Sequence, residues 1–332
     1  MGGPAQASEP ATDPDAGSIG IQLLEAPANR REDPRARRYI VDHLPPGATI
    51  HRQVLVKNDS DNPQHIEVYP AAASISKGEF QFGEGRETNE LTSWVSLDRP
   101  AVDLKPHTDA RVRVTITVPP DASRGERYGV IWAQVTPKPD PNVTVRQVRR
   151  VGIRMYLDIG PGGEPPSDFT IGEMTPARDN DGIPTLGITV RNTGERALDI
   201  TGSANLSDGP AGMHTGPFNV AQGATLAPGT SGTVTIRFPR DLPNGPWKAE
   251  VHLQSGLVRK TAASQVTFPP PGQVGASSRA FKANPWLLAG IPLGVGLVIT
   301  AGLIMIVRPR HRAAVARLVR QRPFGIVAGR WR

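Results

Sequence analysis

The chain of 332 residues contains no cysteine. This absence excludes a disulfide framework, a zinc–thiolate site and a thiol nucleophile, so any exported part must be held together by packing alone. Aromatic residues are scarce at 5%, whereas 35 glycines and 34 prolines are spread along the chain without a collagen-like period. This composition is typical of many short strands joined by turns, and the length suits about two domains.

A basic folded surface is also missing, although the net charge is +7. Eight arginines, and no lysine or acidic residue, follow Val307. This tail therefore carries +8, and subtracting it from +7 leaves −1 for the rest of the chain. Since the basic character belongs to the tail and not to a binding face, we expect no nucleic-acid partner.

Charged residues are absent from the 22 residues 286–307. A helix of this length rises about 33 Å, which suffices for a bilayer core of about 30 Å. The sequence therefore predicts one transmembrane helix, with Trp286 and Arg308 as membrane anchors at its two ends. The arginines after the span predict that residues 308–332 form a basic cytoplasmic tail and that the N-terminal region is extracellular, in a single-pass protein of the cell membrane.

No apolar signal segment opens the sequence, so a signal peptide is missing from it, and residues 1–18 are interpreted as a linker or a signal-peptide remnant. Residues 269–285, rich in proline, glycine, serine and alanine, are predicted to be a second linker. The competing interpretation is a tail-anchored cytoplasmic protein. Such a protein would have to move the arginine-rich tail across the membrane.

One pattern occurs three times in the remaining sequence: Leu-x-Pro, a polar turn and an alternating apolar run, beginning at Leu44, Leu104 and Leu226. Apolar residues at every second position predict strands with one buried face. Longer segments also correspond, because VKNDSDNPQHIEV from Val56 resembles VRNTGERALDI from Val190. The repetition predicts two copies of one β-domain in tandem.

We therefore predict an all-β fold class, with two tandem immunoglobulin-like β-sandwiches and one transmembrane α-helix. The first sandwich is expected at residues 19–160 and the second at 168–268. The first copy holds a surplus segment at 71–95, which is where a separate task of the first domain is expected.

Residues for chemistry are few. The sequence has no metalloprotease, nucleophile-elbow, phosphate-loop or dinucleotide motif, so we predict no enzyme, no catalytic residues, no metal site and no cofactor. Histidines stand singly, and the polar segments 58–62 and 179–182 suit hairpin turns better than calcium loops. Trp94, Trp132, Tyr128 and Trp247 lie on strand-like runs and are interpreted as packing residues.

The surplus segment supplies the candidate binding residues Phe80, Phe82, Arg86 and Asn89. The two phenylalanines are two positions apart and share a face if the segment is extended. An aromatic face beside polar groups suits a sugar ring. The alternative is that both phenylalanines cover the rim of the core.

These features together resemble the WxL-interacting proteins of Gram-positive bacteria. The resemblance lies in YIVDHLPPG, VLVKNDSDN, SISKGEFQF and WVSL of the first domain, followed by a second β-domain, a single span and a basic tail. It implies a peptidoglycan-binding first domain in a membrane-embedded cell-surface protein, with peptidoglycan and secreted or surface proteins, including WxL-type proteins, as partners. The letters W-x-L at Trp286 open the predicted span and do not contribute to the resemblance.

Three functions remain open. The first is a membrane-anchored cell-surface binding and scaffold protein that contacts peptidoglycan and secreted surface proteins. The second is a membrane-held assembly factor or chaperone for exported proteins, which an unpaired, uncharged edge strand would favour. The third is a cell-wall hydrolase or peptidase, which requires convergent carboxylates or a Ser–His pair in a cleft.

Overall fold

The computed structural model describes residues 19–136 and 148–280. Within these ranges the predicted all-β class is confirmed: the described chain consists of strands, one short helix and two 3-10 turns. No helix among the described residues is long and apolar enough to cross a membrane. The predicted linker 1–18, the span 286–307 with Trp286 and Arg308, and the tail 308–332 lie outside the described residues.

The described part of the N-module, residues 19–136 and 148–159, contains ten strands and helix α1. Their bounds are β1 (Ile19–Leu23), β2 (Ile40–Leu44), β3 (Thr49–Asn58), β4 (Gln64–Ser76), β5 (Glu79–Phe82), α1 (Glu90–Ser93), β6 (Val95–Leu97), β7 (Ala101–Leu104), β8 (Thr108–Thr117), β9 (Gly125–Val135) and β10 (Arg149–Ile159). A 3-10 turn at Ala28–Arg30 lies between β1 and β2.

Two sheets of the N-module enclose one core. One sheet has the order β1-β3-β8-β6, and the other has the order β2-β10-β9-β4-β5 with β7 paired to β4. Val112, Val114 and Ile116 alternate along β8 and are fully buried in this core, together with Ile131 and Met155 of the other sheet. The predicted period-two pattern is therefore the pattern that builds the core.

The C-module, residues 169–280, contains the other ten strands. Their bounds are β11 (Phe169–Arg178), β12 (Pro184–Asn192), β13 (Leu198–Ser207), β14 (Thr215–Gln222), β15 (Ala224–Leu226), β16 (Ser231–Arg237), β17 (Trp247–Ser255), β18 (Val258–Val266), β19 (Gln273–Val274) and β20 (Ser278–Arg279). A 3-10 turn at Pro210–Gly212 precedes β14.

The strands of the C-module form one continuous sheet around a second core. Its order is β18-β17-β13-β14-β16-β12-β11-β19, with β15 paired to β13 and β20 to β11. Strand β14 joins the two halves, since Phe218 pairs with Ala204 and Val220 with Ile236 across register shifts on both sides. Irregular pairing of this kind lets one strand pass from one layer to the other.

Two of the three Leu-x-Pro copies share a hydrogen-bond role. Leu44, Leu104 and Leu226 each end a strand, and β3, β8 and β16 follow the proline turn, as predicted. The side-chain amide of fully buried Asn58 donates to the carbonyl of Leu104 at 3.2 Å, and that of fully buried Asn192 donates to Leu226 at 3.0 Å. In these two copies an asparagine therefore satisfies the carbonyl of the leucine, whereas the Leu44 carbonyl accepts from the backbone N–H of Gly160 at 3.1 Å.

Candidate functional site

The candidate phenylalanines lie on the outer face of the β2-β10-β9-β4-β5 sheet. Strand β5 pairs with β4 so that Phe80 lies opposite Ile75 and Phe82 opposite Ala73. Both rings are on the same face, with centroids 5.4 Å apart. Their burial differs, however, because Phe80 is 7% exposed and Phe82 is 41% exposed.

Phe80 belongs to the junction between the two modules. Its ring lies 5.2 Å from that of Tyr156 and 6.3 Å from that of Tyr128, in a small buried cluster that also contains Ala197 of the C-module. Phe80 therefore packs away from solvent, although not on the main core. For Phe80, but not for Phe82, this position agrees with the alternative interpretation in which the ring packs against other residues.

Phe82 belongs to a second group on the same outer face, which we call the aromatic shelf: Tyr69, Phe82, Trp132, Arg86 and Arg150. The ring of Phe82 lies 4.8 Å from that of Trp132. The guanidinium of Arg150 stands 4.5 Å from the Trp132 ring, and that of Arg86 stands 4.2 Å from the Tyr69 ring. Contacts of this kind hold each cation over an aromatic ring.

Glycine makes room for the shelf. A Cβ atom at Gly152 would lie 2.6 Å from the Trp132 ring, so the indole lies across the bare backbone of β10. Trp132 is 6% exposed, and its Nε1–H has no hydrogen-bond partner among the described residues. An unpaired buried donor is uncommon in folded proteins.

Asn89 has a structural role that the sequence did not show. Its side chain accepts from the backbone N–H of Thr92 at 3.0 Å, and the Thr92 hydroxyl accepts from the backbone N–H of Asn89 at 2.8 Å, which forms a capping box for α1. The Asn89 amide also donates to the carbonyl of Tyr128 at 2.8 Å. These bonds occupy the amide and leave Asn89 away from the shelf contacts.

The module junction is polar and largely buried. Asp199 of the C-module accepts from Arg35 Nε at 2.5 Å, from the Tyr156 hydroxyl at 2.9 Å and from Arg154 at 3.2 Å. Burial is the largest single influence and opposes the charge of Arg35, but the attractions of Asp199, Tyr156 and Glu126 together outweigh it and raise the pKa of Arg35. The backbone N–H of Ala197 donates to Glu126 at 2.6 Å, and burial raises the pKa of this carboxyl.

The edge strands differ in how they are protected. Strand β1 pairs with β3 alone among the described strands, and its sequence IGIQL has neither charge nor proline. Strand β18 is an edge too, but it carries Arg259 and Lys260, and Lys260 pairs with Asp168 at 2.8 Å. Strand β6, the far edge of the β1 sheet, has three residues.

Possible metal ligands do not cluster among the described residues. No group of three or more histidine, cysteine or acidic residues there could hold a metal ion. The segment 179–182 closes the hairpin between β11 and β12, with Asp179 Oδ1 accepting from the backbone N–H of Ile183. Its polar residues therefore serve the turn.

Comparisons find weak similarity to solved structures at low identity. No family model and no curated protein matches the chain. The E. coli chaperone DraB is 14% identical over 81% of this chain and 98% of its own, with a TM-score of 0.38. A structure of the Salmonella enterica SafA pilin in complex with the SafB chaperone is 9% identical over 74% and 95%, with a TM-score of 0.40. The class 5 fimbriae chaperone CfaA is 15% identical over 75% and 99%, with a TM-score of 0.34. Likeness at this level identifies no ligand or partner of this chain.

Sequence reasoning missed most of the shelf. It placed Trp132 and Tyr128 among packing residues, and Trp132 is indeed buried. It did not separate the inward and outward rows of β9, in which Ile131 and Ala133 enter the core while Val130 and Trp132 lie outside it. The run VIWAQV is apolar on both sides, so alternation gave no signal there.

Proposed function

We propose that this chain is a non-catalytic binding protein that holds an extended segment of an exported protein at the free edge of strand β1. The observation that supports the proposal is an edge strand without charge, proline or a second partner strand. Natural proteins usually protect such edges, because the unpaired backbone groups template the addition of another strand.

The backbone groups available at this edge follow from the hydrogen-bond pattern. The N–H of Leu24 donates to the carbonyl of Gln53, and Leu24 continues the β1–β3 register. In an antiparallel pair the residues bonded to the partner alternate along the strand. Gly20 and Gln22 are therefore bonded to β3, and Ile19, Ile21 and Leu23 direct their N–H and C=O groups to the free side.

The side chains of β1 favour an apolar, uncharged segment. Ile19 and Leu23 are buried in the core, while Gln22 is exposed on the outer face of the sheet. A strand added in register would continue both rows, with apolar residues at every second position next to the core row. Main-chain bonds would supply affinity and the alternate side chains specificity.

The setting of this activity is also part of the proposal. In this proposal the two modules are immunoglobulin-like sandwiches predicted at 19–160 and 168–268, tethered by a span at 286–307 and facing the outside of the cell. Strands β19 and β20 extend the second module into the predicted linker 269–285. In this arrangement the protein acts as a membrane-held assembly factor, or as a surface scaffold of the WxL-interacting type. Contact with peptidoglycan, implied by that resemblance, is a further proposal, tested by sedimentation of the detergent-solubilised full chain with purified cell walls.

A photo-crosslinking amino acid tests the edge. We expect the side chain at position 22 to crosslink exported proteins in intact cells, and the same substitution at Gln53 of β3 not to do so, because β3 has partners on both sides. Crosslinks of equal yield from both positions, or none from position 22, would contradict the proposal.

A pair of variants separates the contribution of the Ile21 backbone N–H from that of the Ile21 side chain. Ile21→Pro removes a free-edge donor while leaving the bonds of Gly20 and Gln22 to β3, and Ile21→Ala removes the same packing but keeps the donor. We expect crosslinking at position 22 to be lost in Ile21→Pro and kept in Ile21→Ala. Loss in both variants would assign the effect to packing.

A further inference from the structure

We propose that the aromatic shelf is a second binding site, separate from the β1 edge, and that its ligand is an acidic saccharide. The shelf occupies the part of the outer sheet face that the junction cluster of Phe80 and Tyr156 does not cover. Its exposed elements are the ring of Phe82 and the guanidinium groups of Arg86 and Arg150.

The charge on the shelf favours an anion. Arg86 pairs with Glu67 at 2.6 Å, so its charge is balanced. Arg150 is exposed, and no carboxylate among the described residues pairs with it; its hydrogen bond to the carbonyl of Gly85, at 3.4 Å, is long. A guanidinium has five N–H donors, so most of those of Arg150 remain available for a carboxylate or phosphate.

The rigidity of Arg150 strengthens this inference. Its guanidinium lies 4.5 Å from the Trp132 centroid, and this contact restricts the motion of the cation. A group held in this way loses less conformational entropy on binding than a free surface arginine.

The aromatic part of the shelf favours a sugar over a free anion. The half-exposed ring of Phe82, which contacts Trp132 at 4.8 Å between centroids, offers an apolar surface next to the cation. A sugar ring has an apolar face that packs on an aromatic ring, and an acidic sugar carries its anionic group at the edge. Phe82 and Arg150 together therefore match a saccharide that bears a carboxylate or a phosphate.

The test uses the full chain in detergent micelles and short saccharides, measured by isothermal titration calorimetry. The probes are trigalacturonate, mannose 6-phosphate and neutral maltotriose. We expect one of the two acidic probes to bind at least tenfold more tightly than maltotriose, and the better one identifies carboxylate or phosphate as the recognised group. Equal binding of all three, or of none, would overturn the proposal.

Variants locate the binding on the shelf. Arg150→Gln and Phe82→Ala should each weaken binding of the better acidic probe about tenfold. Arg259→Gln, which removes one exposed charge from β18, is the matched control and should leave binding unchanged. The uncharged Phe82 also separates the shelf from the arginine-rich tail, because the tail would bind anions equally well in Phe82→Ala. Unchanged binding in Phe82→Ala, or equal losses in Arg150→Gln and Arg259→Gln, would assign the anion to general charge and refute the site. Crosslinking at position 22 is independent of this measurement, so either proposal can fail alone.

Discussion

Replacement of Asp199 by alanine is expected to destabilise the protein more than any surface charge change. The side chains of Asp199 and Arg35 are 15% and 7% exposed, and their polar atoms are 2.5 Å apart. Tyr156, Arg154 and Thr225 donate to the same carboxylate. Its loss leaves the Arg35 guanidinium buried and uncompensated, which costs about 3–5 kcal/mol of the free energy of unfolding.

The matched control is Asp179→Ala. Asp179 pairs with Arg237 at 3.2 Å, but these side chains are 36% and 54% exposed. An exposed pair of this kind contributes roughly 0.2–1 kcal/mol. Comparison of the two alanine variants therefore distinguishes the contribution of a buried ion pair to stability from that of an exposed one.

Urea unfolding of the full chain in detergent, followed by tryptophan fluorescence, measures both values. The double variant Arg35→Met with Asp199→Leu should recover part of the loss, because it removes both members of the buried ion pair. Recovery is incomplete because Tyr156, Arg154 and Thr225 still lose their acceptor. A loss in Asp199→Ala no greater than that in Asp179→Ala would refute the reasoning.

Three further predictions concern the shelf, α1 and the junction. Gly152→Ala should lower the free energy of unfolding by about 1–3 kcal/mol, because the added methyl meets the Trp132 ring at 2.6 Å. Gly163→Ala, with open space around its Cβ, is the control and should be nearly neutral in thermal denaturation. Asn89→Ala should lower the free energy of unfolding by about 1 kcal/mol through loss of the cap, without weakening saccharide binding in calorimetry. Burial raises the pKa of Glu126. The folded state therefore holds the Glu126 proton at pH values above about 4.5, at which the unfolded chain has lost it. Stability should therefore fall as pH rises from about 4.5 towards the raised pKa, and the fall should be smaller in Glu126→Gln, as urea titrations at several pH values can show.

The sequence by itself determined the strands and the turns between them. Val112, Val114 and Ile116 alternate with polar residues, and a strand with one buried face is the structure that this period permits. The repeated Leu-x-Pro turns fixed where strands end, because proline cannot continue a ladder as a donor. The absence of cysteine and of catalytic motifs was equally available at this level.

Tertiary structure decided which outward-facing residues became available for binding. Phe80 and Phe82 are equivalent in sequence, but the C-module covers the cluster of Phe80 and leaves Phe82 half exposed. Arg35 and Asp199 are 164 positions apart, and no local pattern pairs them. Alternation along a strand specifies which side chains point away from the core of their own module. Which residues then cover such a side chain depends on contacts between distant segments, and only the folded arrangement of both modules provides these contacts.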